Sequence, residues 1–171
     1  MTAPSRGVIQ RKVCLVGVPA VGKTSLARRF VEGVFSDDYL TTIGVKIDRR
    51  EVDLDGRSVR LVVWDIAGDD VYTPLDLTYL RGAAGLLLVA DGTRPPTLDR
   101  ALELHRAAAA AHGDLPAVLA LNKADLAGEW ALDPGRVSAL GQSRTVLETS
   151  ARTGAGVEAA FETLARRAVG R

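Results

Sequence analysis

Cysteine, asparagine and aromatic rings are scarce in this sequence. There is one cysteine, Cys14, one asparagine, Asn122, and aromatic residues make up 5% of the 171 residues. A single cysteine excludes a disulfide scaffold and fits a reducing compartment. Cys14 sits in the apolar run 13–16 and reads as a small buried strand residue. Long hydrophobic runs are also missing. The longest, near residues 83–90, is far too short to span a bilayer. Residues 1–10 are polar and lack an apolar core of signal-peptide length. Met1-Thr2 does not match an N-myristoylation signal, and Val169-Gly170-Arg171 offers no prenylatable cysteine. A cytoplasmic protein without a direct membrane anchor is the expectation. An excess of one charge is absent too: 22 basic against 21 acidic residues give a net charge of +1. Nucleic-acid binding through phosphates therefore has no support. Lysine is rare, at 4 against 18 arginines.

What is present is a 47% hydrophobic, 25% charged chain of single-domain length. Residues 1–10 read as a flexible segment and 11–171 as one domain. Apolar runs predict strands over 12–18, 45–54, 58–65, 86–90, 117–121 and 145–148. Helical signals fall at 23–31, 74–80, 96–112, 134–140 and from Val157 through Ala160, Phe161 and Leu164 to Ala168. Residues 107–111, five alanines, lie inside one of these helices. Asp55-Gly56 between two extended runs predicts a tight antiparallel hairpin. The runs at 86–90 and 117–121 are continuous and apolar, as in strands buried on both faces. The pattern predicts an α/β fold: a mostly parallel six-stranded sheet, helices on both faces, and one antiparallel edge hairpin.

Two loops carry chemistry. Gly17-Val18-Pro19-Ala20-Val21-Gly22-Lys23-Thr24 fits G-x-x-x-x-G-K-[ST] and lies between a predicted strand and a predicted helix. Its glycines let the backbone bend around a phosphate, and the helix start favours an anion. Lys23 is placed to reach β- and γ-phosphates, and the Thr24 hydroxyl to ligate Mg²⁺. Pro19 has no N–H, so donors would come from Ala20 onward. Asn122-Lys123-Ala124-Asp125 follows a predicted strand. A carboxylate there can accept from guanine N1–H and the 2-amino group, which adenine does not present.

With these motifs the sequence resembles a Ras-superfamily small GTPase of the Rab or Ras type, over residues 11–168. The resemblance implies the three-layer P-loop NTPase fold, GTP and GDP as ligands, and Mg²⁺. It implies a nucleotide-binding set of Pro19, Ala20, Val21, Gly22, Lys23, Thr24 and Ser25. To these it adds Phe35 beside guanine, Leu126 beside Asp125, and Ser150-Ala151-Arg152 in a second guanine loop. Residues 39–44, Tyr39-Leu40-Thr41-Thr42-Ile43-Gly44, resemble switch I, with Tyr39 at the nucleotide and Thr42 sensing Mg²⁺ and the γ-phosphate. Trp64-Asp65-Ile66-Ala67-Gly68 resembles the start of switch II, with Asp65 holding the metal through a water and the Gly68 amide at the γ-phosphate. Trp64 itself reads as packing. The catalytic set implied is Lys23, Thr42, Gly68 and the residue that follows. That residue is Asp69 where the family usually has Gln. It reads either as a solvated loop residue, with catalysis supplied elsewhere, or as a water-orienting carboxylate. Pro19 and Ala20 replace glycines and would crowd a partner's arginine, Arg152 replaces the usual Lys, and the lipidated C-terminal cysteine is missing. His105 and His112 read as solvent-facing.

The implied function is a monomeric switch that hydrolyses GTP slowly. Its effectors, activating proteins and exchange proteins would dock on 36–44, 67–80 and the adjacent hairpin. A nucleotide-binding scaffold with negligible hydrolysis is the alternative. A phosphate-loop kinase would need an arginine-rich lid, and no inserted segment offers one.

Overall fold

The computed structural model describes residues 7–36, 42–70 and 74–170. Six strands form one sheet: β1 (Ile9–Val16), β2 (Val45–Leu54), β3 (Arg57–Ile66), β4 (Gly85–Asp91), β5 (Ala117–Asn122) and β6 (Thr145–Glu148). Among the described residues four α-helices accompany them: α1 (Lys23–Glu32), α2 (Pro95–His112), α3 (Pro134–Gly141) and α4 (Val157–Val169). The spatial order is β2-β3-β1-β4-β5-β6, and only β2 and β3 run antiparallel. The expected sheet and edge hairpin are both present. At the hairpin, Asp55 and Gly56 hold φ of 54° and 81°, the left-handed pair that matches the twist of the flanking strands.

Alternation along the central strands splits the core into two layers. Val13 and Leu15 of β1, Leu87 and Val89 of β4, and Val118 and Ala120 of β5 pack with the faces of α1 and α4. Cys14 and Val16, Leu86, Leu88 and Ala90, and Leu119 and Leu121 pack on the opposite side with Leu98 and Leu102 of α2. On the first side Phe30 and Phe161 stack with centroids 4.1 Å apart and rings 2° from parallel. Cys14 is fully buried, which pushes its thiol up to about 12. Trp64 packs as expected, half-buried beside Tyr79 and under the Lys12 ammonium at 3.6 Å.

Some boundaries differ from expectation. β1 begins at Ile9 and ends at Val16, rather than spanning 12–18. Residues 9–12 pair with β3 alone, whereas 13–16 also pair with β4. The first half is therefore polar on one side and gives a weak apolar signal. The helix expected over 74–80 is a one-turn 3-10 helix at Leu77–Leu80, capped by Asp76. A second 3-10 turn, Ala127–Glu129, was not anticipated. His105 and His112 are half-buried rather than solvent-facing. His105 Nδ1 meets Arg144 Nη1 at 2.6 Å, and His112 Nε2 meets the Leu77 carbonyl at 2.7 Å. Both lie on the flank of α2 that meets neighbouring elements. No helix among the described residues is long and apolar enough to cross a membrane.

Candidate functional site: a phosphate and base cleft

In this order of strands the chain leaves β1 for one side of the sheet and returns to β4 on the other. Ligands of such sheets bind beyond the carboxyl ends of the strands at that reversal. A cleft of about 850 Å³ lies there.

The loop after β1 enters α1 at Gly22, whose φ is 103°. A Cβ at Gly22 would lie 2.2 Å from Asn122 Nδ2, so only glycine fits between the two loops. Ala20 also adopts a left-handed backbone, φ 64°. The first turn of α1 contains no acidic residue, so its positive dipole end is uncompensated. Lys23 is nearly buried and its Nζ donates to the Gly17 and Val18 carbonyls at 3.2 and 3.0 Å. Burial lowers its pKa to about 8, against the opposing charges of Asp65 and Asp69.

Beside Lys23 three oxygen donors converge. Thr24 Oγ1 donates to Asp65 Oδ2 at 2.6 Å and lies 2.7 Å from Thr42 Oγ1. Thr42 Oγ1 donates to the same Oδ2 at 3.4 Å. Asp65 is 1% exposed, and among the described residues its Oδ1 is buried without a hydrogen-bond partner. Burial raises the Asp65 pKa, with the Thr24 hydrogen bond and the Lys23 charge opposing. An orphaned carboxylate oxygen amid hydroxyls is the hard-oxygen donor set that a divalent cation such as Mg²⁺ takes.

At the other end of the cleft Asn122 ties the base loop to the phosphate loop. Its Nδ2 donates to the Val21 carbonyl at 2.9 Å, and its Oδ1 accepts from Thr149 Oγ1 at 3.1 Å. Asp125 Oδ1 accepts from Ser150 Oγ at 2.7 Å. Arg29 of α1 donates through Nε to the Ala151 carbonyl at 2.8 Å and through Nη2 to the Arg152 carbonyl. Phe35 is half-buried at the cleft wall.

A family model described as the Ras family matches residues 12–170. The chain belongs to the Ras family. Human Ras-related protein Rab-8B is 36% identical over 163 residues, covering 91% of this chain and 76% of that protein. Rab-8 of Diplobatis ommata and Rab-8A of Bos taurus are 35% and 34% identical with nearly the same coverage. As a Ras-family chain it is a GTP-binding GTPase with the P-loop fold.

In this Ras-family chain most of the expected residues line one cleft: Pro19, Ala20, Gly22 to Ser25, Phe35, Thr42, Gly68, Asn122, Lys123, Asp125, Leu126, Ala151 and Arg152. Four do not. The Val21 side chain is in the core, and Ser150 is buried behind Asp125. Asp65 is buried behind the two threonines. Tyr39 lies outside the described residues, as do 37–41 and 71–73 of the expected switch segments. The fourth, Asp69, corrects an expectation. It is not a solvated loop residue but 3% exposed, with its carboxylate bonded to the Leu75 amide and to Arg100. Its neighbours Gly68 and Asp70 line the cleft instead.

Two other groups escaped the sequence reading. Arg29, just described, was one of 18 arginines with nothing local to mark it. Asp91 is 1% exposed at the end of β4, where its Oδ2 meets Lys123 Nζ at 2.8 Å and Arg94 Nε at 3.0 Å. A lone carboxylate closing an otherwise apolar strand was the available signal.

Proposed function

We propose that this Ras-family chain is a monomeric, cytoplasmic guanine-nucleotide switch, acting as a single domain. It binds GTP and GDP with Mg²⁺ and hydrolyses GTP slowly. The observation that carries this reading is that one cleft holds, at one end, Thr24 and Thr42 bonded to the buried Asp65 and, at the other, the Asp125 carboxylate, with the Lys23 loop between them.

The phosphate end is the work of the loop amides from Ala20 onward, the α1 terminus and Lys23, whose ammonium would exchange the Gly17 and Val18 carbonyls for β- and γ-oxygens. Thr24, Thr42 and Asp65 would hold Mg²⁺, which when bound neutralises developing phosphate charge. The Gly68 amide completes the γ-phosphate end. At the base end Asp125 accepts from guanine N1–H and the 2-amino group, Ser150 orients that carboxylate, and the Ala151 amide meets the base oxygen. Phe35, Leu126, Lys123 and Arg152 enclose the base. Tyr39 belongs to the same proposed set.

Hydrolysis is slow on this reading because position 69 lacks the family's glutamine. A neutral amide can donate to the phosphoryl group while it accepts from water, whereas an ionised carboxylate only accepts. The scaffold reading, with negligible turnover, rests on the same residue. Loss of the γ-phosphate would release Thr42 and Gly68, so 36–44 and 67–80 are where effectors and regulators would dock.

The test is nucleotide selectivity. GTP should bind far more tightly than ATP, and Asp125→Asn should weaken GTP by several kcal/mol while favouring xanthine nucleotides. Equal affinity of the parent for ATP and GTP would overturn the reading. Single-turnover phosphate release separates slow switch from scaffold.

A further inference from the structure

Asp69 is held at three atoms. Its N–H donates to the Gly17 carbonyl at 3.1 Å, which pins its backbone to the start of the phosphate loop. Its Oδ1 accepts from the Leu75 N–H at 2.7 Å, which ties Leu75 to Asp69. Its Oδ2 accepts from Arg100 Nε at 2.8 Å. Arg100 comes from α2 and donates through Nη1 to Glu103 Oε2 at 2.9 Å, so the guanidinium is itself oriented. The carboxylate is 4% exposed and the arginine side chain 44%. A buried carboxylate with a fitted arginine and a backbone N–H is a strong, directional arrangement. Both oxygens are engaged, and Asp69 is absent from the residues that line the cleft.

We propose that Arg100 is a positioning residue of the hydrolytic site: it latches Asp69 to α2, steadies the Asp69–Leu75 bond, and keeps that carboxylate from the attacking water. The inference rests on the guanine-nucleotide reading for its meaning and names a regulation of that site. While the latch is closed, position 69 takes no direct part in hydrolysis. Loss of the Arg100 contact opens it, and the side chain at 69 then gains access to the cleft. This makes the chemical effect of residue 69 conditional on residue 100, a dependence that packing alone does not produce.

The experiment compares the parent with Arg100→Ala, Arg100→Lys, Asp69→Ala and the double alanine variant, with Asp69→Gln in both Arg100 backgrounds. Hydrogen exchange at the Leu75 amide is read in the GDP-bound and nucleotide-free proteins, beside single-turnover GTP hydrolysis and fluorescent-GDP affinity. Arg100→Ala should speed exchange at Leu75 about tenfold or more. Asp69→Ala should do the same, the double variant should add little, and Arg100→Lys should restore part of the protection. Asp69→Ala should change hydrolysis by less than about tenfold, which is under about 1.4 kcal/mol. Asp69→Gln should raise hydrolysis more in the Arg100→Ala background than with Arg100 present. Unchanged exchange at Leu75 in Arg100→Ala overturns the latch. So does a hundredfold loss of hydrolysis in Asp69→Ala beside none in Arg100→Ala, which would make Asp69 the group that acts on water. If the parent binds no GDP, the nucleotide reading fails, and exchange in the nucleotide-free protein still judges the latch.

Discussion

Asp91 should be worth more to this protein than any single residue of its sequence motifs outside the phosphate loop. Its Oδ1 accepts the Thr93 N–H at 2.8 Å and the Thr93 hydroxyl at 2.6 Å, and its Oδ2 meets Lys123 and Arg94. Arg94 in turn donates through Nη2 to the Pro19 carbonyl at 3.2 Å. One carboxylate thus joins the base loop, through Lys123, to the phosphate loop, through Arg94. Burial works against its charged form, but the Lys123, Thr93 and Arg94 bonds outweigh it and hold its pKa below the ordinary range. In Asp91→Ala the Thr93 bonds account for about 1 kcal/mol and the half-screened Lys123 contact for about 1–2. The exposed Arg94 contact adds about 0–1. The total is about 2–4 kcal/mol. Urea unfolding should show the midpoint falling by about 1–2 M. Asp91→Asn keeps an acceptor for Thr93 but turns an amide toward two cations, so it should recover only about 1 kcal/mol. A depressed folded pKa means the contribution is complete above the unfolded value of about 3.9 and is lost as pH falls through the folded one. The gap between parent and Asp91→Asn should therefore close in acid. Asparagine within about 0.5 kcal/mol of the parent at pH 7 would refute the charge argument.

Thr42→Ala should spare GDP binding and abolish GTP-specific protection of 36–44 in hydrogen exchange, and EDTA should speed GDP release; an unchanged off-rate would remove the metal from Thr24, Thr42 and Asp65. Phe161→Ala removes a fully buried ring stacked on Phe30 and should cost about 3–5 kcal/mol in urea unfolding, read with the second layer of the core intact. The His105 pKa is lowered, by burial first and by the Arg144 charge second. A lowered folded value means stability is complete above about pH 6.5 and falls as pH drops below it; His105→Gln should flatten that slope in melting temperature between pH 7 and 5.

The parts legible in the sequence were those whose chemistry forces residue types at short spacing. Gly22, Lys23 and Thr24 sit within three positions, and the base loop within four, so each motif was complete in one line of text. β4 and β5 were legible because burial on both faces leaves them apolar up to their last residues, Asp91 and Asn122. The groups that wire the loops together were not. Asp69 and Arg100 are 31 positions apart, and Arg29 and Ala151 are 122 apart. An exposed-type residue in a loop or on a helix carries no local mark of its distant partner. Asp69 shows the consequence: read alone it suggested a solvated or water-facing group, and only the folded chain supplies the arginine that buries it.

The wiring divides the cleft unequally. Asn122 bonds the base loop to the phosphate loop at the Val21 carbonyl, Arg94 reaches Pro19 from the end of β4, and Arg29 holds the Ala151 and Arg152 carbonyls from α1. These contacts join the phosphate and base loops to each other and to the elements that carry them. Thr42 and Gly68 belong to a different class. Thr42 is bonded among the described residues only through the Thr24–Asp65 hydroxyl cluster, and a Cβ on Gly68 would lie 2.5 Å from Pro19 N. Both line the cleft at its phosphate end. On the proposed function this separates affinity from signalling: guanine and diphosphate recognition rest on loops bonded to one another, and the γ-phosphate is read by two residues at their edge. The latch at Asp69 then matters because it lies one residue from Gly68. It couples that reading to α2 through Arg100.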